Sequence, residues 1–177
     1  QPVQAALVLN QAQNVMLGAL DKAHPKIYEK MEDFAKEKAS QTISDVAFKA
    51  YDKFKDSTPI IAVENVYPNI AFGRAEQLKE LVEESRKKFI EKAVEKGIGR
   101  EKAKETAEKL IGATWDIGHI SMLKGAGYRD EFIVQETKKI APFIKKVHMT
   151  DNFGFADTHL APGMGEVVTK RHMKEME

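Results

Sequence analysis

The sequence contains no cysteine, which excludes disulfides and thiolate metal sites. That absence fits a reducing compartment, and a cytoplasmic location is the expectation. No apolar run approaches the roughly 18–20 residues that span a bilayer, so no membrane partner is expected. The opening stretch QPVQAALVLNQAQNVMLGAL is rich in glutamine and asparagine and lacks a basic n-region. It does not read as a signal peptide. Neither sign of charge dominates: 28 Lys and Arg against 27 Asp and Glu leave a formal net charge of +1. Nucleic acid is therefore not the default partner. No short repeat is visible either.

What is present is enough for one sizeable core, since 42% of the 177 residues are hydrophobic. Charged residues make up 31%. The stretch EKAVEKGIGREKAKETAEK reads as a solvated helical surface. Charge-rich helices without cysteine also suit a thermophile.

Hydrophobic spacing predicts three helices at the start. Val3, Ala6, Leu7, Leu9, Val15, Met16, Leu17 and Leu20 mark the first, to about Ala23, and Pro2 suits its first turn. His24-Pro25 breaks it. A second is expected over Lys26 to Lys38, with Ile27, Met31, Phe34 and Ala35 inward. A third is expected over Thr42 to Lys55, with Ile43, Val46, Ala47, Ala50 and Phe54 inward.

The period then changes. Ile60 to Val63 is a short continuous apolar run with β-branched residues, the pattern of a strand buried on both faces of a parallel sheet. A long helix is expected over about Ala75 to Lys96, with Leu78, Leu81, Val82, Phe89, Ile90 and Val94 on one side and Gly97 as its cap. A shorter helix, Arg100 to Ile111, leads into a strand at Ala113 to Asp116. Asp130 to Ile140 is helical, KKVHMTD is a third strand, and Thr169 to Glu177 begins a further helix. Strands alternating with helices predict an α/β fold with a parallel sheet. The expected division is a helical segment at 1–57 and an α/β part at 58–177.

In such folds ligands meet the carboxyl ends of the strands. Here those ends carry Glu64, Asp116 and His148, with His119 three residues past Asp116 and Asp151 three past His148. Asp157 and His159 follow in the same loop. Imidazole and carboxylate together suit Zn²⁺, Mn²⁺ and similar ions, and such a site activates water or polarises a carbonyl. Each residue alone has an ordinary structural explanation: Asp116 as a helix cap, His119 and His148 as core histidines, Asp157 and His159 as solvated loop residues. Three successive strands ending on metal-capable side chains are the stronger signal. His24 and His172 lack that context and read as structural or surface residues.

AVEN, TWDIGH and VHMTDNFGFADTHLAPGMGEV resemble the second half of xylose isomerase-like TIM barrels, a superfamily of sugar and sugar-phosphate isomerases and epimerases with apurinic-site endonuclease relatives. The resemblance runs from about Pro59 to the end. Its most specific pieces are His148 followed by Asp157-x-His159 and Pro162-Gly163-Met164-Gly165-Glu166, and then Asp116-x-x-His119. It implies a partial (β/α)8 barrel, with Glu64, Asp116 and His148 ending strands five, six and seven as ligands of Mn²⁺, Zn²⁺ or Mg²⁺. His119 would contact substrate, or a second metal in an endonuclease-like site. Asp157 and His159 would hold a further metal in such a site and touch substrate otherwise. A full barrel needs roughly 250 residues, so the chain, which opens on Gln1, is expected to be a piece of a longer protein. The exposed sheet edges of a half-barrel invite pairing with a second copy or with the rest of the barrel.

The implied function is a metal-dependent isomerase or epimerase acting on a sugar or sugar phosphate. Glu64 would be base and ligand, and His119 would orient a substrate hydroxyl. One alternative is an apurinic-site endonuclease-like phosphodiester hydrolase. Against it, Asp151 to Glu166 contains no lysine or arginine for phosphates. A second alternative is a non-catalytic fragment of such a barrel.

Overall fold

The computed structural model describes residues 2–23 and 29–177, which divide into two compact units between Phe34 and Ala35. In the first unit, α1 (Pro2–Ala23) is a single helix. Its spacing is helical as expected, yet Leu7, Val8, Leu9, Val15, Met16 and Leu17 are all exposed. The break expected at His24-Pro25, and the expected helix start at Lys26 with its inward Ile27, lie outside the described residues. Met31 and Phe34, also expected inward, are exposed.

The expected second and third helices are one: α2 (Met31–Phe54) runs unbroken through the polar cluster Ser40-Gln41-Thr42. No proline or glycine interrupts it. The hydroxyls of Ser40 and Thr42 turn back onto the carbonyls of Glu37 and Lys38, at 3.1 and 3.0 Å, and so stay within helical geometry. In the second unit Ala47 is fully buried, while Val46 and Phe54 face solvent, against expectation.

The rest of the second unit alternates strand and helix. In order come β1 (Ile61–Glu64), α3 (Ala75–Glu95), α4 (Arg100–Leu110), β2 (Ile111–Asp116), α5 (Ile117–Ser121), α6 (Asp130–Ile140), β3 (Ile144–His148) and α7 (Thr169–Lys174). The three strands are parallel and lie in the order β1-β2-β3. Neighbours in chain order are what successive strands of a barrel give, whereas a doubly wound sheet reverses its order. The fold is thus the expected α/β type: a partial TIM-barrel sheet with its helices, preceded by a helical segment. Among the described residues no helix is long and apolar enough to cross a membrane.

β2 is buried along its whole length, whereas β1, expected to be buried on both faces, is half-buried throughout and leaves Ile60 exposed, because it has a strand neighbour on one side alone. Leu78, Leu81, Val82 and Phe89 of α3 pack with Ala103 and Ala107 of α4 and with Ile111, Ala113 and Trp115 of β2. Val94, expected on that side, is exposed. The Trp115 indole N–H donates to Thr137 Oγ1 at 2.8 Å, and the same hydroxyl meets His172 Nδ1 at 2.6 Å. His172 is therefore a buried structural residue that clasps α7 onto α6.

A register shift between Ala113 and Thr114 aligns the strand ends. Ala113 pairs with Ile144 but Thr114 pairs with Lys146, so Lys145 is the extra residue of a bulge. Its aliphatic stem lies over Gly112, where a Cβ would collide with it and with the Phe143 carbonyl. The shift puts Asp116 level with His148.

Candidate metal centre

Asp116 is the centre of the strand-end cluster. It ends the fully buried strand and caps α5. Its Oδ1 accepts from the amides of Gly118 and His119, at 2.8 and 3.2 Å, and from the Thr150 hydroxyl at 2.9 Å. Gly118 is required there, since a Cβ would run into that hydroxyl. The other oxygen, Oδ2, is buried and has no hydrogen-bond donor. It is faced instead by His148 Nδ1 at 3.7 Å and His119 Nε2 at 3.9 Å. A buried acceptor left unpaired costs about 1–3 kcal/mol. Two donors bound at about 2.0–2.2 Å to one ion stand roughly 3–4 Å apart. The orphaned oxygen and the spacing of the nitrogens around it both fit a divalent cation.

Glu64 reaches the cluster from β1, with Oε1 2.6 Å from His148 Nδ1. Ligand atoms of Glu64, Asp116 and His119 all lie within 4.8 Å of one another. A second group on the same criterion joins His119 to Asp157 and His159. Asp157 Oδ2 stands 3.3 Å from His119 Nε2 and 2.9 Å from His159 Nε2, and its buried Oδ1 has no donor. His159 holds the left-handed region at φ 49°, which costs a non-glycine residue about 1 kcal/mol or more. Of the residues singled out from sequence, Glu64, Asp116, His119, His148, Asp157 and His159 lie together, and Asp151 does not join them. His119 joins the two groups, and His148 meets the first through Glu64 and Asp116.

His119 is the better-fixed imidazole. Its Nδ1 lies 2.8 Å from the Asn65 carbonyl, and Tyr67 packs edge-on against its ring at 5.2 Å. Burial pulls its pKa down. The Asn65 carbonyl and the Asp116 and Asp157 carboxylates outweigh that and leave it above the ordinary histidine value.

Sequence reasoning missed the supports. Asn65 is fully buried at the end of β1. Its Nδ2 donates to the Asp116 carbonyl at 3.1 Å and its Oδ1 accepts from the Asp116 amide at 2.7 Å. Asp151, read as metal-capable, organises the loop instead. Its carboxylate accepts from the amides of Asn152 and Gly163 at 2.8 Å and of Val167 at 2.9 Å, and its backbone pairs with Leu160. Burial would raise its pKa; the amides of Val167, Gly165, Gly163 and Asn152 prevail and hold it below the usual carboxylate value. The loop glycines were the available signal: at Gly165 a Cβ would strike the Asp151 carboxylate.

A cleft of about 420 Å³ opens between the loops that follow the three strands, lined by Pro68, Arg74, Met122, Tyr128, Gly154 and Phe155 among others. Arg74 is held there by Glu136, with Nε 3.1 Å from Oε2.

No protein-family model matches the sequence, and no curated protein matches it. Among solved structures, the crystal structure of a D-tagatose 3-epimerase-like protein is similar to this chain, with a TM-score of 0.42 and 19% identity. The match covers 83% of this chain and 60% of that one, so the chain spans less than two thirds of its length.

Proposed function

We propose that this chain carries the metal site of a sugar or sugar-phosphate isomerase or epimerase that moves a proton next to a carbonyl. The observation that supports this most is the buried, unpaired Asp116 Oδ2, with Glu64 and two histidines grouped around it. Glu64, Asp116 and His148 would hold a divalent ion of the Mn²⁺, Zn²⁺ or Mg²⁺ kind, with His119 at its side. When bound, that ion would stabilise the negative charge developing on the carbonyl oxygen as the proton leaves.

The remaining steps belong to the protein. Glu64 is the proposed base, because its carboxylate is partly exposed at the strand end, with Oε1 2.6 Å from His148 Nδ1. His119 Nε2 is placed to orient a substrate hydroxyl against Asp157. The neighbouring cleft is within the size range of small-molecule sites and would take the rest of the sugar. Its cation, Arg74, is already paired with Glu136, which favours an uncharged sugar over a phosphorylated one.

The second group, His119 with Asp157 and His159, favours a second reading, an endonuclease-like site with more than one metal. The absence of lysine and arginine from 151–166 speaks against it. Incubation with Mn²⁺ in D₂O, with a panel of ketoses, aldoses and their phosphates in parallel with abasic-site DNA, separates the two. Deuterium entering next to a sugar carbonyl supports the isomerase reading. Strand cleavage without exchange replaces it with the nuclease.

A further inference from the structure

The cluster depends on a residue that contacts none of its open coordination space. We propose that Asn65 is a positioning residue that presets the strand-end site before any ion arrives, acting on Asp116 through its side chain and on His119 through its carbonyl. The inference rests on the cation-site part of the functional reading.

The side chain acts as one more rung of the sheet. The last backbone pair between β1 and β2 is Glu64 with Thr114, and the Asn65 amide donates to the Thr114 carbonyl at 3.3 Å. Beyond it no further backbone pair joins the two strands. The Asn65 carboxamide fills the gap by accepting from the Asp116 N–H and donating to the Asp116 C=O. An amide side chain supplies a donor and an acceptor on two separate atoms; an ionised carboxylate only accepts. Both partners are buried, so the clasp is shielded from water. It holds the two peptide planes that flank the Asp116 Cα, and so the base from which the side chain projects, while Thr150 and the α5 amides occupy Oδ1 and leave Oδ2 turned to the cluster.

The carbonyl acts on the imidazole. A backbone carbonyl only accepts, so the 2.8 Å contact requires the hydrogen on Nδ1 of His119. In the neutral ring Nε2 is then a bare lone pair, the form a metal ligand needs, and it points at Asp116 Oδ2 and Asp157. Asp157 competes for the opposite tautomer, but from a longer 3.3 Å. One residue therefore sets the carboxylate and the imidazole on either side of the same space.

The test uses Co²⁺ and Zn²⁺ as probes on the native chain and on Asn65→Ala and Asn65→Asp. Asn65→Asp keeps the acceptor for the Asp116 N–H and loses the donor. Expected are a loss of about 10- to 100-fold in Co²⁺ affinity for Asn65→Ala, a smaller loss for Asn65→Asp, and a changed visible spectrum of the Co²⁺ forms. Unchanged affinity and spectrum in a folded Asn65→Ala protein would overturn the role. If that variant does not fold, the native chain still decides. Imidazole ¹⁵N shifts, read at a pH above the observed titration of the ring, must show His119 mainly as the Nδ1–H tautomer, and mainly Nε2–H would overturn the proposal. A native chain that binds no metal but shows the Nδ1–H tautomer would count against the functional reading and leave the positioning of His119 standing.

Discussion

The two halves of the site are built differently. Glu64 and Asp116 sit at the ends of paired strands, and Asp116 is 1% exposed and bonded on every side but one. Asp157 and His159 sit on a loop with no regular structure, and the His159 side chain is 62% exposed. The first half is set mainly by the paired strands, with one bond from Thr150 just past β3. The second exists only because Asp151 gathers the loop amides around one carboxylate. An acid in a strand-end site is fixed by its neighbours in space, whereas a loop ligand is fixed by a knot of hydrogen bonds that can be undone by one substitution.

The strongest way to break the comparison is Asp116→Asn. The change keeps the shape and removes the charge on the orphaned oxygen. Divalent-ion affinity should fall on the order of 100-fold or more, since even supporting partners of a ligand cost 10- to 100-fold. Asp151→Ala should do the reverse. It would strip the loop of its acceptor, cost about 3–4 kcal/mol in chemical denaturation, and release Asp157 and His159. The strand-end affinity should change by less than about tenfold. Loss of both halves together would show that they are one unit.

Acid should act through His172 as well. Burial, aided by the charge of Arg171 and opposed by Asp130, holds its pKa down at about 4 from an ordinary 6.5. The unfolded chain then binds the proton more readily, so stability is full above pH 6.5 and falls as pH drops toward 4. The loss should reach up to about 3 kcal/mol, and His172→Gln should flatten that part of the profile. His159→Ala is the smallest change, within about 0.5 kcal/mol for an exposed side chain, and it should leave the strand-end ion in place.

Much of this architecture was legible because it rests on periodicity. The apolar run ending on Glu64, the strand ending on Asp116 and the α3 stripe of Leu78, Leu81, Val82 and Phe89 all follow from apolar patterning, although the first of these strands is only half-buried. The boundary expected between two helices near Ser40 was not there, because polar residues that favour turns also bond back within a helix. The exposed face of α1 shows that apolar spacing gives a helix but does not say what covers it. At the site, residue types pointed to Asp116, His119 and His148. Asn65 was not singled out and Asp151 was singled out for the wrong role, because both act on backbone groups that lie mostly far away in sequence.

The central claim is that the strand-end cluster around Asp116 holds a divalent cation. Calorimetric titration of the intact chain with Mn²⁺, repeated on Asp116→Asn, tests it most directly. Stoichiometric binding that disappears in the variant is the predicted result. Absence of binding in the native chain, or binding unchanged by the substitution, would contradict it.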